Sequence, residues 1–170
     1  MDQRIIVNFD GGSRGNPGTA GTGVVLAAED GTPLITVGRY IGRATNNVAE
    51  YTALIDALRQ AKALGARKLT VRGDSELIIK QMRGQYRVKN PALRELHGQA
   101  AALADEFEDV AFEHNPRDRN SLADRLANLA MSRKCDVTDV DELPEAPPSH
   151  GGRRIVCPHC GREIQLEGKS

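Results

Sequence analysis

Along residues 4–43 apolar positions recur with the short period of extended chain. Ile5, Val7 and Phe9 alternate with Ile6, Asn8 and Asp10, and because both sets are partly apolar the segment suits a central strand. A glycine-rich turn, Gly11 to Gly18, leads to Thr22-Gly-Val-Val-Leu-Ala-Ala28. Asp30-Gly31 is a hairpin signal, and Pro33-Leu-Ile-Thr-Val-Gly-Arg39 returns, completing a three-stranded meander. From Asn47 the period lengthens. Tyr51, Leu54, Ile55, Leu58, Ala61 and Leu64 recur at three and four, and Gly65 stops the helix. Strand 68–73, helix 75–83, helix 91–106, strand 109–114 and helix 120–133 follow. Strands first in a meander, then alternating with helices, predict an α/β fold: a mixed five-stranded sheet flanked by helices.

Beyond residue 133 the character changes. Asp136, Asp139, Asp141, Glu142 and Glu145 crowd together, followed by Pro144, Pro147, Pro148 and Gly151-Gly152. The chain therefore divides into a domain over 1–133, an acidic Pro/Gly linker over 134–152 and a small tail over 153–170. The tail reads as two short strands around a tight turn carrying Cys157-Pro-His-Cys160. At 170 residues the chain has room for one well-filled domain and such an appendage. No run approaches a membrane span and Met1-Asp2-Gln3-Arg4 lacks a signal peptide's apolar stretch, so a soluble cytoplasmic protein without a membrane partner is expected. Three cysteines, unevenly placed, form no secreted disulfide framework.

Four acids stand far apart in sequence: Asp10 at the end of the first strand, Glu50 at the opening of a helix, Asp74 after strand 68–73, and Asp124 near the start of helix 120–133. Local readings exist for each. Asp10-Gly11 could be a turn, Glu50 could complete a capping box from Asn47, Asp74 could cap a helix, and Asp124 could be a surface acid beside Arg125. Acids at strand ends and helix starts, however, are where a sheet gathers chemistry. Hard cations such as magnesium take oxygen ligands, and phosphodiester hydrolysis uses two of them. Setting these four acids aside, residues 1–133 hold 18 Lys/Arg against 12 other Asp/Glu, a modest surplus that permits a phosphate-rich partner without requiring one.

Asp10-Gly-Gly-Ser-Arg-Gly-Asn-Pro-Gly18, Thr45-Asn-Asn-Val-Ala-Glu50-Tyr51, Gly73-Asp74-Ser75 and His114-Asn-Pro-Arg-Asp-Arg-Asn120-Ser-Leu-Ala-Asp124-Arg-Leu-Ala-Asn128 resemble, in order, the type 1 ribonuclease H family over residues 1–133. The likeness is to the shorter prokaryotic form. After Gln81 to Tyr86 the chain passes almost at once to Val88-Lys89-Asn90-Pro91, leaving no room for the basic handle that longer members use to grip substrate. The resemblance implies a ribonuclease H-like fold and an endonuclease that hydrolyses the RNA strand of RNA–DNA hybrids, leaving 5′-phosphate and 3′-hydroxyl ends. Asp10, Glu50, Asp74 and Asp124 would hold two magnesium ions about 4 Å apart, and manganese should substitute.

The resemblance also assigns substrate contacts. Gly11, Gly12, Ser13 and Asn16 would lie along the RNA strand, and Thr45 would hold a DNA phosphate. Asn46 and Asn47 would meet nucleotide edges and sugars, while Glu50 also reaches the 2′-hydroxyl by which RNA is told from DNA. Ser75, Glu76 and Asn120 complete the set, with Glu76 standing where many members carry Gln. His114 matches the family's flexible catalytic histidine, with Arg117 as the alternative if His114 only ends its strand. His97, inside an amphipathic helix, reads as structural.

Cys157 and Cys160 form half of a zinc-ribbon pattern, for which Cys135, His150 and His159 are candidate supplements, or two chains could share one zinc. A monomer is expected, with dimerisation through the tail as the exception. Two rival readings stay open: a nuclease of the same fold acting on other substrates, and a nucleic-acid-binding module acting through its tail.

Overall fold

A computed structural model of the chain describes residues 3–138 in full and the backbone of residues 153–156 and 163–166. Strands β1 (Arg4–Gly15), β2 (Gly18–Ala27) and β3 (Pro33–Ala44) form the meander. Helix α1 (Asn46–Ala63), strand β4 (Lys68–Gly73), helices α2 (Glu76–Met82) and α3 (Pro91–Ala104), strand β5 (Asp109–His114), a 3-10 turn at Arg117–Arg119 and helix α4 (Ser121–Arg133) follow. The predicted strands lie in the order β5-β4-β1-β2-β3. β1 pairs parallel with β4 and β4 with β5, whereas β1, β2 and β3 are antiparallel neighbours.

Two features correct the sequence reading. The five expected strands are all present, but the sheet is wider than expected, because β6 (Val137–Thr138) pairs with Val37 and Gly38 and the strands beyond it bring the sheet to eight among the described residues. Two residues are too few to show a period, yet Val137 is fully buried and covers part of the β3 edge. The backbone strands β7 (Arg153–Val156) and β8 (Glu163–Leu166) continue the same sheet through Thr138 opposite Val156. Secondly, Asp10 does not end its strand. β1 runs on through the glycines to Gly15, paired with β2 down to Gly15 opposite Gly18, so only Asn16 and the cis-linked Pro17 turn the hairpin. The glycines continue the strand because two helices lie against this stretch of sheet.

Alternate residues of the strands face opposite layers. Ile5, Val7, Phe9, Val24, Leu26, Leu69 and Val71 pack with Leu54 and Leu58 of α1 and with Ile78 and Ile79 of α2. Val25 joins Ala123, Leu126, Ala130 and Val137 on the α4 side. Each fully buried Leu, Ile, Val or Phe contributes about 1.5–3 kcal/mol of transfer free energy. Cys135 belongs to this second cluster. Lys134 takes a left-handed conformation (φ 51°) at the end of α4 and the Cys135 N–H returns to the Ala130 carbonyl at 3.4 Å. A thiol so placed packs as a small apolar side chain of the core. No helix among the described residues is long and apolar enough to cross a membrane. Cys157, Cys160, His150, His159 and the 139–152 part of the expected linker lie outside the described residues.

The closest packing is of backbone on backbone. A Cβ on Gly11 would stand 2.2 Å from the Ala49 carbonyl oxygen of α1, and one on Gly23 would stand 1.8 Å from the Ala123 carbonyl oxygen of α4. Neither partner can rotate away. Gly23→Ala is therefore expected to lower stability by about 1–3 kcal/mol through overpacking, measured by denaturant unfolding, whereas Gly31→Ala, at a turn where nothing lies within 4 Å, should cost less and only through its positive φ.

Candidate active site

The strand register sets the first two acids side by side. Phe9 of β1 stands opposite Gly73 of β4 in a parallel pair, so Asp10 and Asp74 follow at one level on adjacent chains. Glu50 arrives from above, one residue after the Ala49 backbone that rests on Gly11. Asp10, Glu50 and Asp74 each offer a carboxylate oxygen, all within 4.8 Å of one another. Asp124, in the first turn of α4, joins through a side-chain hydrogen bond with Asp10 but does not come within that distance of all three.

Caps explain why these acids are free. Thr45, not Asn47, caps α1, its hydroxyl accepting from the Val48 N–H at 3.2 Å. Ser75, not Asp74, caps α2, accepting from the Ile78 N–H at 3.4 Å. Both acids are thereby released from local duties. Crowding and burial then act on their protonation. Asp10, 5% exposed, is pushed up to about 8, chiefly by burial, then by Asp74 and Asp124, with Arg117 opposing. Glu50 is pushed up to about 9 by burial first, then by Asp10 and Asp74. Its Oε2 is buried with no hydrogen-bond donor. An all-oxygen cluster that repels itself and holds one buried oxygen without a donor fits a hard divalent cation.

The remaining predicted residues separate into three groups. Ser13, Asn16 and Asn46 are tied together: Asn46 Oδ1 accepts from the Ser13 N–H at 2.8 Å, and the Asn46 N–H donates to Asn16 Oδ1 at 3.2 Å. Asn46 and Asn47 are exposed. Gly12 has open space above it, since a Cβ there would meet only Asn46 Oδ1, at 4.0 Å. Gly11 is buried under α1, so packing decides it. Glu76 is exposed and paired with Lys80 at 2.8 Å, one helical turn on.

Asn120 is 2% exposed and donates to the Phe9 carbonyl at 2.9 Å. It fastens the start of α4 to the strand carrying Asp10, a position underneath the site rather than on its surface. His114 is the last residue of β5, exposed, with Nε2 3.2 Å from the Asp74 carbonyl. Arg117 comes nearer the acids, its Nε 3.6 Å from Asp74 Oδ2 while its side chain stays 82% exposed. Sequence reading missed Asn115, whose buried side-chain amide donates to the Arg119 carbonyl at 3.1 Å and to Asn8 Oδ1 at 3.4 Å. It braces the loop that presents Arg117, and its only sequence signal is its place before Pro116.

Comparison with known proteins agrees with this arrangement. A family model described as reverse transcriptase-like matches residues 8–130. The bifunctional protein Rv2228c of Mycobacterium tuberculosis is 46% identical over 155 residues, covering 87% of this chain and 43% of that protein. The chain thus spans less than half the length of this relative. The solved N-terminal RNase H domain of Rv2228c superposes with a TM-score of 0.76 at 49% identity, covering 78% of this chain and 96% of the domain. RNase H1 of Halobacterium salinarum gives 0.75 at 45% identity, with coverages of 76% and 98%. LC11-RNase H1, isolated from compost and solved in complex with an RNA/DNA hybrid, gives 0.74 at 45% identity, with coverages of 76% and 98%. By sequence, fold and the grouping of its acids, the chain belongs to the reverse transcriptase-like family built on the ribonuclease H fold.

Proposed function

We propose that residues 1–133 form an endoribonuclease that hydrolyses the RNA strand of RNA–DNA hybrids. The observation that carries this reading is the self-repelling carboxylate trio on the ribonuclease H fold, beside exposed polar groups suited to sugars and phosphates. The relative solved with an RNA/DNA hybrid supports the choice of substrate. Asp10, Glu50, Asp74 and Asp124 would hold two magnesium ions, with manganese able to substitute. Such ions supply the Lewis acidity that activates water and stabilises charge on the leaving oxygen.

The chain's own groups do the rest. Water oxygen bonds to phosphorus, the bond from phosphorus to the 3′ oxygen breaks, and a proton ends on that oxygen, leaving 5′-phosphate and 3′-hydroxyl ends. His114, exposed at the rim, holds or releases a proton, and Arg117 offsets negative charge beside Asp74. The Thr45 hydroxyl accepts from Val48, so its own hydrogen is left to donate to a phosphate oxygen. Ser75 is in the same position above α2. Asn46, held by Ser13 and Asn16, and the neighbouring Asn47 would read sugars and base edges along the strand. The tail, with Cys157 and Cys160 as candidate zinc ligands, stands outside this chemistry.

Magnesium-dependent cleavage of a hybrid, with matching DNA and RNA duplexes as controls, tests the reading. Asp10→Asn should reduce turnover by about 10³-fold or more, the equivalent of several kcal/mol of lost charge stabilisation, while retaining hybrid binding. Near-normal turnover by the purified variant would sink the site. A lone ribonucleotide in DNA should be cut far more slowly than a stretch of four or more, since Ser13, Asn16, Asn46 and Asn47 address successive sugars. Equal rates would contradict this assignment.

Stability supplies a third test. The folded protein keeps protons on Asp10 and Glu50 to about 8 and 9, whereas the unfolded chain releases them near 4. This contribution is full below about pH 4 and is lost as pH rises through those folded values. Without divalent cations Tm should therefore fall between pH 5 and 9 more steeply than in Asp10→Asn, and magnesium should raise it most at the alkaline end. A metal-free Tm that rises over this range would count against the cluster.

A further inference from the structure

Residues 116–119 form a short exposed loop held between two buried asparagines, Asn115 at 9% and Asn120 at 2% exposure. The Asn115 N–H donates to the Gly73 carbonyl at 2.8 Å, carrying the β4–β5 ladder one step past His114. Its side-chain amide turns inward and donates to the Arg119 carbonyl at 3.1 Å, across the loop, and to Asn8 Oδ1 on β1 at 3.4 Å. At the far end Asn120 occupies the N-cap position of α4 yet makes no side-chain cap hydrogen bond. Asparagine is a strong N-cap, and here the amide is withheld from its own helix and donates to the Phe9 carbonyl at 2.9 Å. The two amides thus hook the loop onto consecutive residues of β1, Asn8 and Phe9, directly before Asp10.

Arg117 stands on this loop. Its Nε lies 3.6 Å from Asp74 Oδ2, and its side chain is 82% exposed. A guanidinium so exposed has little packing to fix it, so the backbone beneath it decides where the charge stands. The 3-10 turn alone is a weak frame. It is three residues long, closed by the Arg119 N–H on the Pro116 carbonyl at 2.9 Å and the Asn120 N–H on the Arg117 carbonyl at 3.1 Å, and 3-10 hydrogen bonds have poor geometry. The Asn115 amide supplies the missing frame. It joins the far side of the loop, at Arg119, to the strand that carries Asp10. A free loop would have to be ordered at each encounter with substrate, at an entropic cost that this tie removes in advance.

We propose that Asn115 is a positioning residue for Arg117: its amide clamps the 116–119 loop to β1 and presets the guanidinium beside the carboxylates before substrate arrives. The proposal rests on the charge-offsetting role given to Arg117 in the proposed function. It is tested in the full chain with magnesium and an RNA–DNA hybrid. Asn115→Val removes both donated bonds and suits the extended backbone of a residue before proline. It should lower kcat by about tenfold, within the range that misplacement of a reacting group by about 1 Å costs, and leave KM within about twofold. Arg117→Ala should lower kcat by at least as much, and the two together no further than Arg117→Ala alone. Asn8→Ala, which keeps the loop sequence and removes one acceptor, should lower kcat by about two- to threefold, and not at all in the Arg117→Ala chain. This second variant decides the matter if Asn115→Val does not fold. Equal losses with and without Arg117 would show a merely structural role and overturn the assignment, as would an Arg117→Ala chain of unchanged kcat. A readout free of activity is the backbone order of residues 117–119 by ¹⁵N relaxation. Order parameters of about 0.85 in the unaltered chain should fall below about 0.6 in Asn115→Val, with α4 unchanged. A loop already that loose in the unaltered chain, or equally ordered in the variant, overturns the clamp. Failure of the unaltered chain to cleave hybrid would instead overturn the endonuclease reading, and the order parameters would still decide the clamp.

Discussion

Three carboxylates from β1, α1 and the end of β4 are forced together against their own repulsion, and much of the fold is arranged to keep them there. Like charges about 4 Å apart in a partly buried setting repel by about 4 kcal/mol. The chain meets this in two ways. Asp10 and Glu50 retain protons to unusually high pH, and the elements that carry the acids are fixed by contacts not involving the acids themselves. The β1–β4 register sets Asp10 beside Asp74. The Ala49 carbonyl against Gly11 sets the height of Glu50, and the Asn120 amide on the Phe9 carbonyl anchors the helix that carries Asp124. A site held by backbone register can tolerate an unsatisfied charge that a site held by side-chain pairing would relieve by moving.

The same reasoning accounts for the glycines. Gly11 admits α1 on one layer, while Gly23 and Gly38 admit α4 on the other, each where an added Cβ would collide with helix backbone. Close approach of both helices near one end of β1 and β2 brings acids from two layers to one point. Gly11 thus has its place through packing, although its motif first suggests contact with nucleic acid. Gly12, one residue on, faces open space, where a Cβ would meet only Asn46 Oδ1 at 4.0 Å.

Elements with a clear period were legible in the sequence: the meander, α1, the β4-α2 and α3-β5 units and α4 all lie within a few residues of their expected bounds. The features that were not legible have no period. β6 is two residues long, and its strand character comes from the open edge of β3 rather than from its own composition. The extension of β1 through Gly15 is concealed by residues that signal a turn, because a glycine needed for helix contact looks the same as one needed for a bend. The caps of α1 and α2 each stand one or two residues from their expected places, since Thr45, Asn47, Asp74 and Ser75 are all competent caps. Only the structure shows which carbonyl starts the helix, and that choice decides whether Glu50 and Asp74 are spent locally. Burial of Asn120 was equally invisible, because an exposed contact and a buried clamp ask for the same amide.

The chain's net charge of zero conceals how its cations are disposed. On the β4–β5 side basic residues face acids and are neutralised in pairs, an arrangement that stabilises little at an exposed surface but removes attraction for phosphate. Around α2 and the start of α3, Lys80 pairs with Glu76, whereas Arg87 and Lys89 are exposed with no carboxylate partner among the described residues. Negative charge is likewise concentrated, in the carboxylate cluster, where bound divalent cations would cancel it. A polyanion approaching this face would meet the exposed Arg117 and the unpaired Arg87 and Lys89. Cations left unpaired on one face attract phosphate there, which a uniform surplus of the same size would not do. Net charge alone carries no record of this, because it is set by which cations have partners, and that is settled by the fold.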